Sequence, residues 1–361
     1  MTAVAGGTGG GDSCARPRLL VAPDKFRGSL TAPEVVAAVA EAAEGLGWEV
    51  VGRPLADGGE GMLDAFGGPN RRSVVTGPHG RPVEAPWLHD DEVAVIESAL
   101  ASGLELAGGG EANDPVAATS RGTGELIAEA VRAGARRVVV GLGGSAMTDG
   151  GLGAFEAVVE LLEGRRPGDH GVELLVACDV ETVFTDAARV FGPQKGASPD
   201  QVEHLTERLH SVRWHYERNY GHWLEEVEVD LRTAPGGGAA GGLGGGLLVL
   251  GGRLVPGLRL VAEQVGLEEA LSTVDAVVTG EGALDAESFH GKVVGGVVEA
   301  ALQRDLPVLV LAGTVRPGVP ELPSGVTVVD LSERFGEEAS WGETARCVRR
   351  AVEEELPRLT G

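Results

Sequence analysis

The chain has 361 residues, enough for two domains, and its 43% hydrophobic content is ordinary for a globular protein. A formal charge of −24 argues against nucleic acid or an anionic membrane as the main partner, since either surface would repel it. Glycine supplies 58 residues without a Gly-X-Y period, which excludes collagen and points to loops lined by bare backbone.

Cys14, Cys178 and Cys347 show no close pairing, so no disulfide and a reducing cytoplasm are expected. No apolar run reaches about 18 residues without a charge or a glycine cluster, so no membrane span is predicted. Residues 1–17 lack an apolar centre and read as a disordered tail.

Arg18–Ala22 (RLLVA) reads as a short buried strand leading into Asp24, Lys25 and Arg27. Thr31 caps a helix to about Glu44, with Glu34 completing a capping box and Pro33 in the first turn. A second strand, Trp48–Arg53, ends in LADGGEG, which sets Asp57 and Glu60 in a glycine loop. Strand, loop, helix, strand, loop is the opening of a doubly wound sheet, so both acidic loops should share one sheet edge.

From about residue 66 the pattern changes. Short strands at Ser73–Thr76, Pro82–Leu88 and Glu92–Glu97, separated by glycine and proline turns, predict a mixed sheet. A helix opens near Thr119 and runs to about Ala133, with Arg121 as a counter-charge for an anion at its start. Arg136–Gly153 (RRVVVGLGGSAMTDGGLG) is the stretch the chain turns on. Val138–Val140 predict a strand buried on both faces, which breaks into Gly143, Gly144, Ser145, Asp149 and further glycines. Such a loop can turn successive N–H groups onto a phosphate.

Glu173–Ala177 is a further strand, with Asp179 at its end. Gln194 and Lys195 follow in FGPQKGA, where Lys195 is a phosphate-cation candidate. Ser198 starts a charged helix to about Asn219, expected on an outer face. Pro235–Gly246 (PGGGAAGGLGGG, with Gly241 and Gly242) has the composition of a linker but runs into an apolar segment, so a close-packed or phosphate-facing helix start is equally open. Val274–Thr279 is a strand ending in a loop that holds Glu281, Asp285, His290 and Lys292. Strands at Leu306–Ala312 and Val326–Leu331 and a final helix near Glu343–Glu355 complete the alternation.

The fold class is therefore α/β. Residues 18–65 and 266–361 are expected to form one discontinuous doubly wound domain, with 66–265 inserted as a mixed α/β domain. The ligand site is expected between the two, with closure on binding. Strand-end carboxylates, glycine loops and a few cations suit phosphoryl transfer with a divalent cation. The spacing Gly141-Leu142-Gly143-Gly144 lacks the dinucleotide fingerprint, so a redox enzyme is less favoured.

These motifs resemble the bacterial type-1 glycerate kinase family over nearly the whole chain. The carrying segments include APDKFRGSLTAPEV, LADGGEG, VTGPHGRPVEA, GTGELI, GLGGSAMTDGG, ACDV, VFGPQKGA, GGAAGGLGGG and TGEGALDAESFHGK, in the family's order. The resemblance implies a flavodoxin-like discontinuous domain and phosphorylation of glycerate by ATP with Mg²⁺, giving 2- or 3-phosphoglycerate. It leaves a homodimer open. On the matching positions, Asp149 or Asp57 would orient the acceptor hydroxyl or take its proton, and Lys292 and Lys195 would face phosphate. Asp24, Lys25, Arg27, Glu60, Gly143, Gly144, Ser145, Gln194, Gly241, Gly242 and His290 would contact substrate or phosphate. Asp179, Glu281 and Asp285 would serve a metal. The chain departs from the family at Lys25, Arg27, Thr148, Ala283 and the segment after Val180. Those departures keep a kinase of another small hydroxy acid, or a non-catalytic ligand-binding relative, as alternatives.

Overall fold

The computed structural model describes residues 16–289 and 291–359; most of the expected tail, Cys14 and His290 lie outside them. Two sheets organise the chain. The first contains β1 (Arg18–Val21), β2 (Glu49–Gly52), β9 (Ala276–Leu284), β10 (Val308–Val315) and β11 (Val326–Asp330) in the spatial order β2-β1-β9-β10-β11. Every pairing in it is parallel. This is the flavodoxin-like order, and its switch point falls between β1 and β9, where a crevice opens beyond the strand ends.

The second sheet runs β3 (Arg71–Thr76), β4 (Pro82–Asp90), β5 (Val93–Glu97), β6 (Arg137–Gly141), β7 (Glu173–Ala177) and β8 (Arg253–Val255) in chain order. β3, β4 and β5 pair antiparallel and the rest parallel, so the sheet is mixed as expected.

Strand side chains alternate between two cores, as the pleat requires. In the first sheet, Leu19, Val21, Val278 and Leu309 face the helices Ala32–Gly45 and Thr344–Leu359. Leu20, Val277 and Val310 face the other way and belong to one apolar cluster with Val95, Val139 and Leu175 of the second sheet. The helices Gly257–Gln264 and Val293–Leu302 supply Val261 and Val297 to this same cluster. Ile96, Val138 and Val140 face a third core on the far side of the second sheet.

Thr31 and Glu34 make the reciprocal capping box, with the Glu34 N–H donating to the Thr31 hydroxyl and the Thr31 N–H to the Glu34 carboxylate. Two expectations are corrected and one open alternative is decided. β9 does not stop at Thr279 but continues through Glu281 to Leu284, because β10 keeps pairing with it after β1 has ended at Val21. The helix from Pro199 passes Asn219 and reaches Glu226 across a break at Tyr220; it also buries Leu205, Leu209, Val212 and Tyr216, so it is not merely an outer face. The glycine-rich stretch is no linker. It forms a buried helix, Ala239–Val249, whose first turn is left-handed at Ala240, Gly241 and Gly242.

Candidate active site

The carboxyl ends of both sheets open on one cleft of about 450 Å³. Arg27, Asp57, Gly58 and Gly59 line it from the loops after β1 and β2. Gly143, Gly144 and Ser145 line it from the loop after β6, and Asp179 from the end of β7. Gln194 and Lys195 close a further side. The two walls meet backbone to backbone: a Cβ on Gly143 would lie 2.7 Å from Cα of Gly59. Glycine at this position thus joins the walls and leaves the cleft lined by main chain.

Two carboxylates line the cleft, Asp57 from the loop after β2 and Asp179 from the end of β7, while Asp24 and Glu281 feel the charge of Asp57 without lining it. Asp57 accepts from the Gly59 N–H at 3.3 Å. Asp24 is pushed up to about 7, mainly by burial; the charge of Lys25 opposes the shift, while Asp57 and Glu281 add to it. Asp179 is pushed up to about 6 by burial, although the Gly257 N–H donates to it at 2.8 Å. Burial also raises Glu281, with Ser288 and Lys292 working against the rise and Asp57 with it. Asp57 is therefore the hub of a four-carboxylate group, and Oε1 of Glu281 is buried with no hydrogen-bond partner. Among the described residues, no three His, Cys, Asp or Glu side chains are placed to hold a metal ion by themselves.

Ser145, Gln194 and Lys195 bring polar groups to the same cleft. Lys195 is only 2% exposed, and its Nζ donates to the Ser145 hydroxyl at 2.9 Å and to the Met147 carbonyl at 2.6 Å. Burial brings its pKa down to about 7, against the opposing charge of Asp149.

Several sequence candidates do not line the cleft. Asp149 is buried and saturated: Oδ2 accepts from the N–H and hydroxyl of Ser120, each at 2.8 Å, and from the Gly153 N–H, while Oδ1 accepts from the Gly151 N–H. The anion at the start of the helix Arg121–Arg132 is thus a side chain of the protein itself. Arg121 pairs instead with Glu125 and Glu160. Gly241 and Gly242 are packing positions, since a Cβ on Gly241 would sit 2.1 Å from the Met147 carbonyl oxygen. Asp285 caps a short turn, accepting from the N–H groups of Glu287 and Ser288, and its other oxygen lies 3.9 Å from Arg316. Lys25 donates to the Glu60 carbonyl at 2.6 Å, and the Glu60 carboxylate stands 4.0 Å from Arg27. Lys292 lies 3.5 Å from Glu287, at the start of the helix Val293–Leu302.

Two residues escaped the sequence reading. Glu97, at the end of β5, is buried and pushed up to about 7; burial dominates, and the Leu63 N–H that donates to it at 2.7 Å opposes the shift. Its signal was available, as a carboxylate closing an apolar strand. Asn113 donates to the carbonyls of Ala146 and Lys195 at 3.0 and 2.9 Å, a long-range contact with no local pattern.

A glycine-lined cleft at parallel strand ends, holding two carboxylates and a buried lysine, suits an α/β phosphotransferase. The chain belongs to the glycerate kinase family, whose model matches residues 19–166 and 161–354. It is 37% identical to the glycerate 2-kinase of Escherichia coli strain K12 over 84% of this chain and 86% of the relative. It is also 37% identical to the glycerate kinase of Bacillus subtilis strain 168, over 93% and 97%. A solved structure from Salmonella typhimurium LT2, assigned as a glycerate kinase 2, superposes with a TM-score of 0.76 at 31% identity, covering 95% of this chain and 98% of that one.

Proposed function

We propose that this chain transfers the terminal phosphoryl group of ATP to a hydroxyl of glycerate, giving 2- or 3-phosphoglycerate, in the cytoplasm. The cleft would lie between a domain of residues 18–65 and 266–361 and an inserted domain of residues 66–265. The observation that carries the reading is one glycine-lined cleft that brings together Asp57, Asp179 and the buried Lys195.

The four-carboxylate group fits a divalent cation. Its carboxyl groups raise one another, and Glu281 carries an unsatisfied buried oxygen, which a cation would relieve. Mg²⁺ needs only one or two carboxylates when phosphate oxygens complete its shell, so a three-carboxylate cage is not required. Asp57 with Asp179 or Glu281 would hold it, and the ion would offset phosphate charge. Arg27 is exposed at the cleft mouth and would meet phosphate from solvent. Gly143 and Gly144 would present main chain to the substrate. Asp57 would orient the acceptor hydroxyl, while Asp149 would fix the loop that carries Ser145.

The test is coupled ADP release by purified protein with Mg-ATP and D-glycerate, alongside other small hydroxy acids. Turnover with glycerate is expected. Asp57→Asn should lower kcat by about 10²-fold or more while the melting temperature holds. Nucleotide binding by the folded protein without turnover on any hydroxy acid would sink the reading.

A further inference from the structure

We propose that Ser145 and Lys195 form a proton relay for the acceptor hydroxyl, held in register by Asn113. The proposal rests on the kinase reading of the same cleft. Ser145 and Lys195 both line that cleft. No ion pair reaches Lys195 among the described residues. Asp149 is the charged group acting on it, and the oxygens of Asp149 are already taken up by Ser120, Gly151 and Gly153. A lysine buried without a counter-ion favours the neutral amine.

A neutral amine has two N–H donors and one lone pair. One N–H meets the Met147 carbonyl at 2.6 Å; Nζ also donates to Oγ of Ser145 at 2.9 Å, and once the amine is neutral this contact reverses, its lone pair accepting the Ser145 O–H over the same separation. The Ser145 oxygen then keeps its own lone pairs for a hydroxyl in the cleft. Asn113 reinforces the pair from behind. Its single amide nitrogen bridges the carbonyl of Ala146, next to Ser145, and the carbonyl of Lys195 itself. Asn113 does not line the cleft, so it is a positioning residue.

The proton balance closes. The acceptor oxygen bonds to the transferred phosphorus, and the bond from phosphorus to the leaving oxygen of the nucleoside triphosphate breaks. The acceptor proton passes to Oγ of Ser145, and the Ser145 proton passes to Nζ of Lys195. The ammonium so formed faces phosphate charge and gives its proton to water after product leaves.

A permanently charged Lys195 acting as a phosphate clamp makes the opposite demand on pH. The relay needs neutral Lys195, so kcat rises as pH increases through about 7; the clamp needs the ammonium, so kcat falls there. The carboxyl groups of Asp24, Glu97 and Asp179 lose protons in the same range, so variants must accompany the profile. The experiment measures kcat and KM against pH, with Mg-ATP and D-glycerate, for the wild type, Ser145→Ala and Lys195→Arg. Arginine keeps the charge but has no accessible neutral form.

The expected result is a rising wild-type profile. Both variants should lose about 10²-fold to 10⁴-fold in kcat, with KM for ATP held within about threefold. The relay is overturned by Ser145→Ala within about threefold of wild-type kcat, by an active Lys195→Arg, or by phosphate found covalently on Ser145. If either variant fails to melt as a folded protein, the wild-type profile decides: a fall through pH 7 overturns the relay. A wild type inactive on every hydroxy acid would overturn the kinase reading and the relay together. With an active wild type, a failed relay leaves the kinase reading standing.

Discussion

Glu97 shows what a buried carboxyl group does to stability. Its pKa moves from 4.5 to about 7 on folding, so the folded chain holds a proton that the unfolded chain has released. Between those values the unfolded state binds fewer protons, and stability falls as pH rises; above about 7 the loss is complete. Asp24 and Asp179 act with the same sign. Lys195 acts in a higher window with the opposite sign: its pKa drops from 10.5 to about 7, so stability climbs between those values. Glu97→Gln keeps an acceptor for the Leu63 N–H and removes the charge. It should raise the melting temperature by a few degrees at pH 8 and leave it unchanged at pH 5, as read by calorimetry. An equal shift at both pH values would show that the charge is not what matters.

At this scale the sequence indicated which residues stand at strand ends. Asp57 and Asp179 could be read that way because each follows an apolar run. The direction of the Asp149 side chain could not be read, since a strand-end carboxylate can turn into the cleft or under it. The choice was made by Ser120, a partner 29 residues away.

Among the elements, the helix Ala239–Val249 depends most on its glycines. Gly241 has φ +68 and its missing Cβ leaves room for the Met147 carbonyl, which holds Lys195 from the other side. Gly241→Ala adds both backbone strain and a clash against main chain, which cannot move aside cheaply. A loss of about 3 kcal/mol or more is expected, visible as a lower urea midpoint with an unchanged slope. A midpoint within error of wild type would mean that the Met147 loop can give way.

This element was ambiguous in the sequence because glycine permits flexibility and close packing alike. What separates the two is the neighbour, here Gly150, Phe184 and Met147 from distant segments. By contrast, the capping box at Thr31 and the buried run Val138–Val140 needed only local chemistry, and both lie where expected. The extra length of β9 came from β10, a partner that its own sequence could not reveal.

One apolar cluster spans both sheets, containing Leu20 and Val277 of one, Val95 and Val139 of the other, and Val261 and Val297 from helices. A hinge would have to open that cluster, at about 25 cal/mol for every Å² of apolar surface exposed. Calorimetry should show one unfolding transition, with the calorimetric and van't Hoff enthalpies in agreement. Two resolved transitions would mean that the sheets unfold independently. The division of the chain between two sheets was legible because turn chemistry changes near residue 66. Their common core was not, since alternating strand residues show that two faces are buried but not what buries them.

The central place of β1 has a consequence for biosynthesis. β1 lies between β2 and β9, and β9 begins at Ala276, so the ribosome makes the first strand more than 250 residues before its second neighbour exists. The second sheet draws its strands from one continuous stretch, Arg71 to Val255, and can assemble while synthesis proceeds. Throughout that time Leu19, Leu20 and Val21 have no finished core to enter. The first sheet can therefore close around β1 only after the carboxyl-terminal strands have emerged.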